Sequence, residues 1–517
     1  MILRNLWSIS TASVAALGLV SGTQASNCSS SSIARPSIPH GHVLDLSASP
    51  ITNYKHENST LNFCNVTVTY THFGWNDTIH ISIWLPFIGW NQRLQGAGGS
   101  GLAGLKSEYV LAEAVTGHYA VVGTDTGHEI NRSRSNSWSL DASGKVDMPL
   151  LKDFAYVALN DAAIAGKDVT RSFYGHGPRH SYWNGCSTGG RQGLMLAQRY
   201  PTAYDGILAG APAINWAHFL VAEYWPQFVM NQLQMLSPQC VLDAITAATV
   251  KSCDELDGVK DQVISDPDHC KFDPFTTVGQ KVNCTGQTVT ITRKDALVVQ
   301  KTWEGMRSTN GSFLWYGLEK GTPLAGSAGL ANTQCTTPSS CTGRPFPPSE
   351  DWISNFMLEN PSADLTQLSH EKFERLFHSS FERYNSIIGT NNPDLSAFKK
   401  AGGKMLTWHG LADNLIFPKG TEKYYNEVEA LDPSVHDYYR LFFAPGVHHC
   451  RQGKGPLPVD PMEAMVNWVE KGIAPETLRA RSLDGARRRN LCAYPLVSVY
   501  KGGDSRDVSS YACEKAA

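Results

Sequence analysis

A chain of 517 residues exceeds the size at which a single hydrophobic core stops growing, so we expect two domains or one large domain with an insertion. Hydrophobic residues (42%) and charged residues (18%) occur in the proportions of an ordinary globular protein. The formal net charge of −3 lacks the positive field on which nucleic-acid binding depends, so nucleic acid is not an expected partner.

The N-terminal 25 residues have the pattern of a secretory signal peptide. One basic residue, Arg4, precedes an apolar run that ends near Val20, and small residues follow up to Ala25. A membrane anchor is the weaker alternative, because the apolar run is short and is interrupted by Ser and Thr. No later stretch is long and apolar enough to span a bilayer. We therefore predict a secreted, extracellular protein with no membrane partner, cleaved after Ala25.

All 12 cysteines lie beyond that predicted cleavage point. An even number of cysteines in a secreted chain predicts a disulfide framework, although sequence alone does not fix the pairs. N-glycosylation is also expected, at some of the N-x-Ser/Thr triplets that begin at Asn58, Asn65, Asn76, Asn131, Asn283 and Asn310.

Six short apolar runs, separated by turn residues and followed by helical patterns, predict the strands of a sheet. The runs are 80–87, 119–127, 181–185, 206–213, 404–410 and 439–446. Strands that alternate with helices indicate an α/β fold with a mostly parallel sheet. The region between the fourth and fifth runs does not continue the pattern and is rich in Cys, Asp, Pro and aromatic residues. We therefore expect a core formed by 26–214 and 399–517, interrupted by an inserted lid domain at 215–398.

The sequence GCSTG at 185–189 matches the G-x-S-x-G pattern of a nucleophile turn. It follows a strand-like run and precedes a segment in which Leu194, Met195 and Ala197 have helical spacing. In such a turn the serine backbone is strained between strand and helix, and the flanking glycines relieve crowding. An ordinary Gly-rich turn is the alternative, but this context favours Ser187 as a nucleophile.

A serine nucleophile needs a base and an acid, and in α/β-hydrolases the order along the chain is Ser, acid, His. Asp413 follows the run 404–410, and His448 and His449 follow the run 439–446. Loops after the carboxyl ends of parallel strands are where active sites assemble. Alone, the aspartate could cap a turn and the histidine could lie on the surface. Their order and placement favour Asp413 as the acid and His449 as the base.

Two cysteines lie directly beside these candidate residues. Cys186 precedes Ser187, and Cys450 follows His449. A disulfide between them would hold the nucleophile within reach of the base, although each could pair elsewhere. We predict that Cys186 is a structural link and not a second nucleophile.

The oxyanion of an acyl-transfer reaction needs backbone N–H donors. The N–H of Thr188 is the expected first donor, and Gly98 or Gly99 in the Gly-rich loop 95–104 is the expected second. The glycines could instead serve close packing. A phosphate loop is excluded because no Gly-Lys-Ser/Thr follows.

The segment 253–270 concentrates carboxylates between Cys253 and Cys270, which could close it into a loop. Clustered carboxylates repel one another unless a hard cation lies among them, and Ca²⁺ takes such oxygen ligands. The spacing is not that of an EF-hand, and a solvated acidic loop is the alternative. The expected ligands are the side chains of Asp254, Asp257 and Asp261 and the backbone carbonyls of Val259 and Val263.

Four motifs in order, GCSTGGRQG, CDELDGVKDQVI, WHGLADNLI and PGVHHC, resemble those of the fungal tannase and feruloyl esterase family, which is similar to the bacterial hydrolase of mono(hydroxyethyl) terephthalate. The resemblance runs from about residue 60 to the end of the chain. It implies an α/β-hydrolase core with a lid, a Ser187–Asp413–His449 triad beside a disulfide, and structural calcium in the Asp-rich loop.

The resemblance also implies further disulfides and leaves some cysteines open. The implied pairs are Cys253–Cys270, Cys492–Cys513 and Cys28–Cys64. The family's short-range pair after the calcium loop has one member at Cys284, but its other position falls near Ile291. The pairing of Cys284 with Cys240, Cys335 or Cys341 is therefore not predicted.

These features predict a secreted serine carboxylesterase that hydrolyses small-molecule or polysaccharide-linked esters of aromatic acids through an acyl-enzyme. Hydroxycinnamoyl esters are favoured over galloyl esters. A tannase, or a carboxylesterase of a fungal secondary-metabolite pathway, is the alternative within the enzyme class. A calcium-stabilised secreted binding protein without turnover is the alternative outside it, and the intact Ser, Asp and His argue against that class. The oligomeric state is not predicted.

Overall fold

The computed structural model describes residues 27–105, 107–128, 134–326 and 329–515. The predicted signal peptide and the triplet at Asn131 lie outside the described residues. No helix within these ranges combines the length and the apolar composition that crossing a bilayer requires.

The strands of the described chain are numbered in chain order. They are β1 Gly41–His56, β2 Ser59–His72, β3 Ile79–Pro86, β4 Arg93–Ala97, β5 Ala120–Thr124, β6 His180–Cys186, β7 Gly206–Gly210, β8 Lys281–Cys284, β9 Gln287–Thr290, β10 Thr333–Thr337, β11 Ser340–Gly343, β12 Lys404–Gly410, β13 Tyr439–Ala444, β14 Leu457–Pro458, β15 Thr477–Arg481, β16 Arg488–Cys492, β17 Leu496–Tyr500 and β18 Tyr511–Lys515.

The α-helices of the same ranges are numbered likewise. They are α1 Glu108–Thr116, α2 Met148–Ala155, α3 Val157–Tyr174, α4 Thr188–Arg199, α5 Trp216–Ala222, α6 Trp225–Leu233, α7 Gln239–Cys253, α8 Arg293–Glu304, α9 Pro347–Asp351, α10 His370–Ile388, α11 Ser396–Lys400, α12 Pro418–Leu431 and α13 Pro461–Lys471.

A nine-stranded mixed sheet forms the centre of the molecule, in the order β1-β2-β3-β5-β4-β6-β7-β12-β13. The strands from β5 to β13 in this order pair in parallel. The strands β1, β2 and β3 add an antiparallel extension at one edge. All six predicted runs form strands of this sheet, and the predicted α/β fold is confirmed. Three strands of the sheet, β1, β2 and β4, were not among the predicted runs.

Helices cover both faces of the sheet, as its buried side chains show. Neighbouring residues of a strand point to opposite faces. On β5, Val121 packs in the cluster that contains α1, whereas Val122 packs against α3. On β7, Ile207 packs in a cluster with α4 and α12, whereas Leu208 packs with α13. The near-continuous burial of these strands is typical of a sheet covered on both sides.

The segment between β7 and β12 carries α5 to α11 and the hairpins β8–β9 and β10–β11. Its apolar residues form one buried cluster with side chains that precede β6. Trp216 and Phe356 from this segment lie edge-on to Phe154 and Trp138, with ring centroids 5.7 and 5.5 Å apart. The inserted segment is therefore packed firmly onto the sheet domain through a shared core.

All 12 cysteines form disulfides. The pairs are Cys28–Cys64, Cys186–Cys450, Cys240–Cys284, Cys253–Cys270, Cys335–Cys341 and Cys492–Cys513. The structure thereby pairs the four cysteines that the sequence left open, with α7 tied to β8 and the β10–β11 hairpin closed on itself. Six disulfides are consistent with an oxidising compartment such as the extracellular space.

Helix α4 approaches the sheet so closely that only glycine fits at position 190. A Cβ atom there would lie 2.5 Å from the carbonyl oxygen of Gly210 and 2.8 Å from Cα of Pro212, and backbone cannot move aside as a flexible side chain does. We expect Gly190→Ala to destabilise the protein by about 1–3 kcal/mol, measured as a lower Tm at fixed scan rate. Gly177→Ala is the control, because its Cβ would meet no atom nearer than 3.6 Å. Equal Tm values for the two variants would contradict this account.

Candidate active site

Ser187 lies between β6 and α4 in a strained backbone conformation. Its φ and ψ are 66° and −127°, in a region that non-glycine residues rarely adopt. The turn is held by backbone hydrogen bonds, since the N–H of Ser187 donates to the carbonyl of Gly210 (3.0 Å) and its carbonyl accepts from Arg191 (3.0 Å) and Ala213 (3.2 Å). The predicted strand–turn–helix context is therefore present, and the serine side chain is partly exposed.

The glycines on either side of Ser187 are required by crowding. A Cβ atom on Gly185 would lie 2.5 Å from the carbonyl carbon of Gly189. A Cβ atom on Gly189 would lie 3.1 Å from Cα of Gly98. The G-x-S-x-G spacing thus lets the turn close on itself and lets the Gly-rich loop pack against it.

The N–H groups of Gly98 and Gly99, one of which is the expected second oxyanion donor, both have acceptors within the protein. The N–H of Gly98 donates to the carbonyl of Asn184 (3.1 Å), and the N–H of Gly99 donates to Oε1 of Gln192 (2.8 Å). Both amides are thus engaged within the protein. A Cβ atom on Gly99 would lie 2.1 Å from the carbonyl oxygen of Ala103, so glycine is needed here for close packing.

Thr188 stands at the first position of α4, where a helix has no internal acceptor for its N–H groups. Its hydroxyl donates to the carbonyl of Gly101 (2.6 Å), which links the start of α4 to the Gly-rich loop. The Thr188 N–H and the positive end of α4 are therefore available beside Ser187 for a developing negative charge.

Asp413 and His449 form a hydrogen-bonded pair. Nδ1–H of His449 donates to Oδ2 of Asp413 (2.8 Å), and the aspartate side chain is fully buried. Its other oxygen, Oδ1, accepts from the N–H groups of Leu415 and Ile416, each at 2.9 Å. Burial alone would raise the pKa of Asp413, but the neighbouring His449 and His409 hold it well below its usual range. Asp413 is thus ionised, and it fixes the histidine ring with Nε2 directed away from it.

His409 completes this arrangement and was not singled out from the sequence. It lies at 0% exposure on β12, and its Nε2–H donates to Oδ2 of Asp413 (3.1 Å) and to the carbonyl of Ile416 (3.2 Å). The hydroxyl of Thr421 donates to its Nδ1 (2.9 Å), which sets the ring tautomer. The position four residues before the acid, in the run WHGLAD, is the signal that could have identified it.

The disulfide Cys186–Cys450 brings the serine and the histidine together. Its Cα atoms are 5.9 Å apart, and each cysteine is bonded to a candidate catalytic residue. Nε2 of His449 lies 3.7 Å from Sγ of Cys450, on the side of the ring that faces this bridge. Within the described residues no hydrogen bond joins the Ser187 hydroxyl to His449. The bridge nonetheless links the residues next to Ser187 and His449, and His449 is hydrogen-bonded to the buried carboxylate of Asp413.

A buried carboxyl group from the inserted segment, that of Glu223, lies close enough to Asp413 to be affected by its charge. Glu223 follows α5 and is 1% exposed, and among the described residues neither of its side-chain oxygens has a hydrogen-bond partner. Burial raises the pKa of Glu223 well above its usual range, and Asp413 raises it further. The side chain therefore keeps its proton to higher pH than an exposed glutamate does, and a protonated carboxyl can donate a hydrogen bond. The sequence contains no motif that marks this position.

The Asp-rich loop is closed by the Cys253–Cys270 disulfide. Oδ1 of Asp254 accepts from the N–H groups of Asp261 (3.0 Å) and Val263 (3.1 Å), and Oδ1 of Asp257 accepts from the N–H of Val259 (3.0 Å). These bonds fold the five expected ligand residues into one turn of chain.

The charges of this loop are only partly balanced. Burial raises the pKa of Asp261; Arg489 and Arg487 oppose this effect, while Asp257 and Asp254 add to it. In the described chain the three aspartate side chains do not all come within 4.8 Å of one another. The residues suit Ca²⁺ because they offer the carboxylate and carbonyl oxygens that this ion prefers. They also lie within a loop that a disulfide closes.

Comparison with known proteins agrees with this geometry. The sequence profile of the family described as "Tannase and feruloyl esterase" matches residues 64–514. A probable feruloyl esterase of Arthroderma benhamiae is 43% identical over 469 residues, which cover 89% of this chain and 87% of that protein. A probable feruloyl esterase B-1 of Aspergillus oryzae is 30% identical over 481 residues, covering 88% and 84%.

Solved structures show the same similarity. Tannin acyl hydrolase from Aspergillus niger superposes with a TM-score of 0.86 at 27% identity, covering 95% of both chains. Feruloyl esterase B from Aspergillus oryzae superposes with a TM-score of 0.76 at 28% identity, covering 92% of this chain and 97% of the other. With the profile matching most of its length, the chain belongs to the tannase and feruloyl esterase family.

Proposed function

We propose that this protein is a secreted serine carboxylesterase that hydrolyses esters of hydroxycinnamic acids through a covalent acyl-enzyme. The observation that carries the proposal is the arrangement around the Cys186–Cys450 disulfide, with Ser187 on one side and the His449–Asp413 pair on the other. A strained serine at a strand–helix turn beside an oriented imidazole is the arrangement that acyl transfer requires.

In the first half of the reaction the Ser187 hydroxyl attacks the ester carbonyl while Nε2 of His449 accepts its proton. The negative charge on the former carbonyl oxygen is stabilised by the Thr188 N–H at the start of α4. Collapse of this intermediate breaks the ester C–O bond, and the imidazolium returns the proton to the departing alcohol.

In the second half a water molecule takes the place of the alcohol. His449 accepts a proton from this water, the resulting hydroxide attacks the acyl-enzyme, and the carboxylic acid leaves as Ser187 regains its hydrogen. Asp413 stays ionised throughout and stabilises the imidazolium. His409 and the amides of Leu415 and Ile416 hold Asp413 in place.

The preference for hydroxycinnamoyl esters is supported by the relative with 43% identity, which is named a probable feruloyl esterase. Galloyl esters are the second candidate, since the TM-score to the Aspergillus niger tannin acyl hydrolase (0.86) exceeds that to feruloyl esterase B (0.76). The inserted segment between β7 and β12 is the part of the chain expected to decide between them. Within this segment Trp315 packs in the shared core, whereas its neighbour Tyr316 is only partly buried and is the better placed of the two to contact an aromatic acyl group.

We further propose that the Asp-rich loop binds one structural Ca²⁺. The side chains of Asp254, Asp257 and Asp261 and the carbonyls of Val259 and Val263 would hold it. The ion would supply positive charge to a loop whose carboxylates repel one another, and it takes no part in the ester chemistry.

Replacing Ser187 by Ala removes the nucleophile without adding bulk. We expect kcat to fall about 10⁴-fold or more while the Tm stays within about 2 °C of the parent, because a serine triad works as a unit. Steady-state hydrolysis of methyl ferulate measures the loss, and mass spectrometry detects the acyl-enzyme only in the parent. Ser362→Ala, on the exposed surface, should keep full activity. An active Ser187→Ala variant would overturn the mechanism, and a parent that neither turns over any ester nor reacts with a phosphonate probe would indicate a binding protein.

A substrate panel tests the acyl preference. We expect kcat/KM to fall in the order methyl ferulate, methyl gallate, methyl butyrate, with at least about a tenfold step to the aliphatic ester, because an aromatic acyl group buries more apolar surface. Higher kcat/KM for methyl gallate than for methyl ferulate would indicate a tannase, and a preference for the aliphatic ester would reject both aromatic assignments.

Metal removal tests the calcium loop. After treatment with excess chelator and confirmed loss of calcium, we expect the Tm to fall by about 5 °C and to recover in 1 mM CaCl₂. Asp257→Asn should abolish the response to calcium, whereas Asp268→Asn, in the same loop but exposed, should retain it. A Tm that does not change when calcium is confirmed to have left would refute the site.

A further inference from the structure

A second cluster of ionisable side chains lies outside the active site, where the antiparallel extension of the sheet meets the helices. His72 is the last residue of β2, and Asp77 lies in the turn before β3. Asp153 is on α2 and Asp161 is on α3. All four side chains are buried. Four ionisable groups in one buried place are costly unless their charges compensate one another, so the cluster needs an explanation that packing does not give.

One nitrogen of His72 faces two carboxylates. Nδ1 lies 2.6 Å from Oδ2 of Asp77 and 3.6 Å from Oδ1 of Asp153. In the described part of the chain, this is the one group of three His, Cys, Asp or Glu side chains whose ligand atoms all lie within 4.8 Å of one another. Two ligands at about 2.1 Å from a tetrahedral ion are about 3.4 Å apart. The 3.6 Å between Nδ1 and Asp153 is close to this separation, whereas the 2.6 Å to Asp77 is a hydrogen-bond distance that a bound ion would lengthen.

Asp153 is the residue that points most directly to a missing ligand. Its side chain has 0% exposure, and within the described residues neither carboxylate oxygen accepts a hydrogen bond. The empty coordination of both oxygens is an independent observation, separate from the clustering of the acids.

The opposite nitrogen of His72 has the partner that metal-binding histidines usually have. Nε2–H donates to Oδ2 of Asp161 (2.9 Å), and the hydroxyl of Tyr70 donates to the same oxygen (3.1 Å). A carboxylate on the far nitrogen fixes the ring orientation with Nδ1 directed at Asp77 and Asp153. Here Nδ1–H donates to Oδ2 of Asp77, and a bound cation would take the place of that proton. The oxygen Oδ1 of Asp77 is likewise held, by the N–H of His72 (2.7 Å) and the hydroxyl of Thr71 (2.8 Å).

We propose that His72, Asp77 and Asp153 bind a divalent transition-metal cation, with Zn²⁺ as the ion whose chemistry fits best. An imidazole nitrogen among the ligands disfavours Ca²⁺ and Mg²⁺, which take oxygen ligands. The second oxygen of Asp153 would complete the shell. The site is buried and has no open position, so it is structural and separate from the calcium loop.

The position of the site suggests what the ion stabilises. It would join the end of β2 to α2, and the two residues after Asp153 connect α2 to the nucleophile helix. The carbonyls of Phe154 and Ala155 accept from the buried guanidinium of Arg191 on α4, at 3.0 and 2.9 Å. A cation that holds α2 in place therefore also holds the two carbonyl groups to which Arg191 of α4 donates.

Metal content of the purified full chain tests the proposal without reference to activity. The protein is produced in medium with added zinc, dialysed against buffer with CaCl₂ and passed through a desalting column, and zinc is then measured by mass spectrometry. We expect one Zn²⁺ per chain in the parent and in Asp257→Asn, and less than about a tenth of that in Asp153→Asn. Asp161→Asn keeps all three ligands and should weaken zinc binding about 10–100-fold, measured by competition with a chromophoric chelator.

A parent protein that retains no zinc would overturn the proposal and would indicate that a shared proton balances the cluster. Zinc that remains at one per chain in a folded Asp153→Asn variant would place the ion elsewhere and would equally overturn it. If Asp153→Asn does not fold, the parent decides: removal of zinc by dipicolinate in the presence of CaCl₂ should lower the Tm, and an unchanged Tm with confirmed zinc loss rejects a structural site. These outcomes are independent of the esterase proposal, because no step uses substrate.

Discussion

The active site depends on a covalent link across the sheet. Ser187 follows β6 and His449 follows β13, and two strands, β7 and β12, lie between them. Three inter-strand steps of about 4.8 Å separate the two strand ends by roughly 14 Å, which is too far for a hydrogen bond. The loop after β13 must therefore run back over its neighbours, and the Cys186–Cys450 bridge, with Cα atoms 5.9 Å apart, fixes that return. Hydrophobic packing alone would hold an exposed loop of this kind less tightly.

The inserted segment also restricts movement around Ser187, because it shares a buried core with the sheet domain. Its main buried cluster is continuous with the residues of α2 and with Trp138, so movement of the insertion as a unit would break this shared core. Arg191 lies at this junction, with its guanidinium 5.1 Å from the ring centroid of Phe154 and 5.4 Å from that of Trp216. In a chain built in this way, surface side chains of the insertion can be exchanged without moving Ser187.

The sequence carries the catalytic order and most of the sheet, because both leave local signals. Buried parallel strands appear as apolar runs, and the strained turn at Ser187 requires nearby glycines. The strands β1 and β2 leave a weaker signal, since one of their faces is open and their polar residues resemble a loop. Whether Gly98 or Gly99 donates its N–H to the oxyanion could not be decided from the sequence. A glycine that is needed for close packing and a glycine that is needed for its N–H have the same sequence pattern. His409 was missed for a related reason: a buried polar residue within an apolar strand is recognised only when its partners are known.

The buried carboxylates of this fold differ in how their charge is balanced, and the difference separates their roles. Asp413 has two imidazoles and two amides around it, so it remains an anion and can stabilise a cation that forms during the reaction. Asp351 has the guanidinium of Arg134 at 2.7 Å and so serves as an ordinary ion pair between the insertion and the core. Glu223 and Asp153 are equally buried but lack a hydrogen-bond donor among the described residues. A buried carboxyl without a donor must hold either a proton or a cation. Burial and the charge of Asp413 favour a proton on Glu223. Asp153 also has carboxylates near it, those of Asp77 and Asp161, but it faces in addition a nitrogen of His72, with which it would share the proposed metal ion.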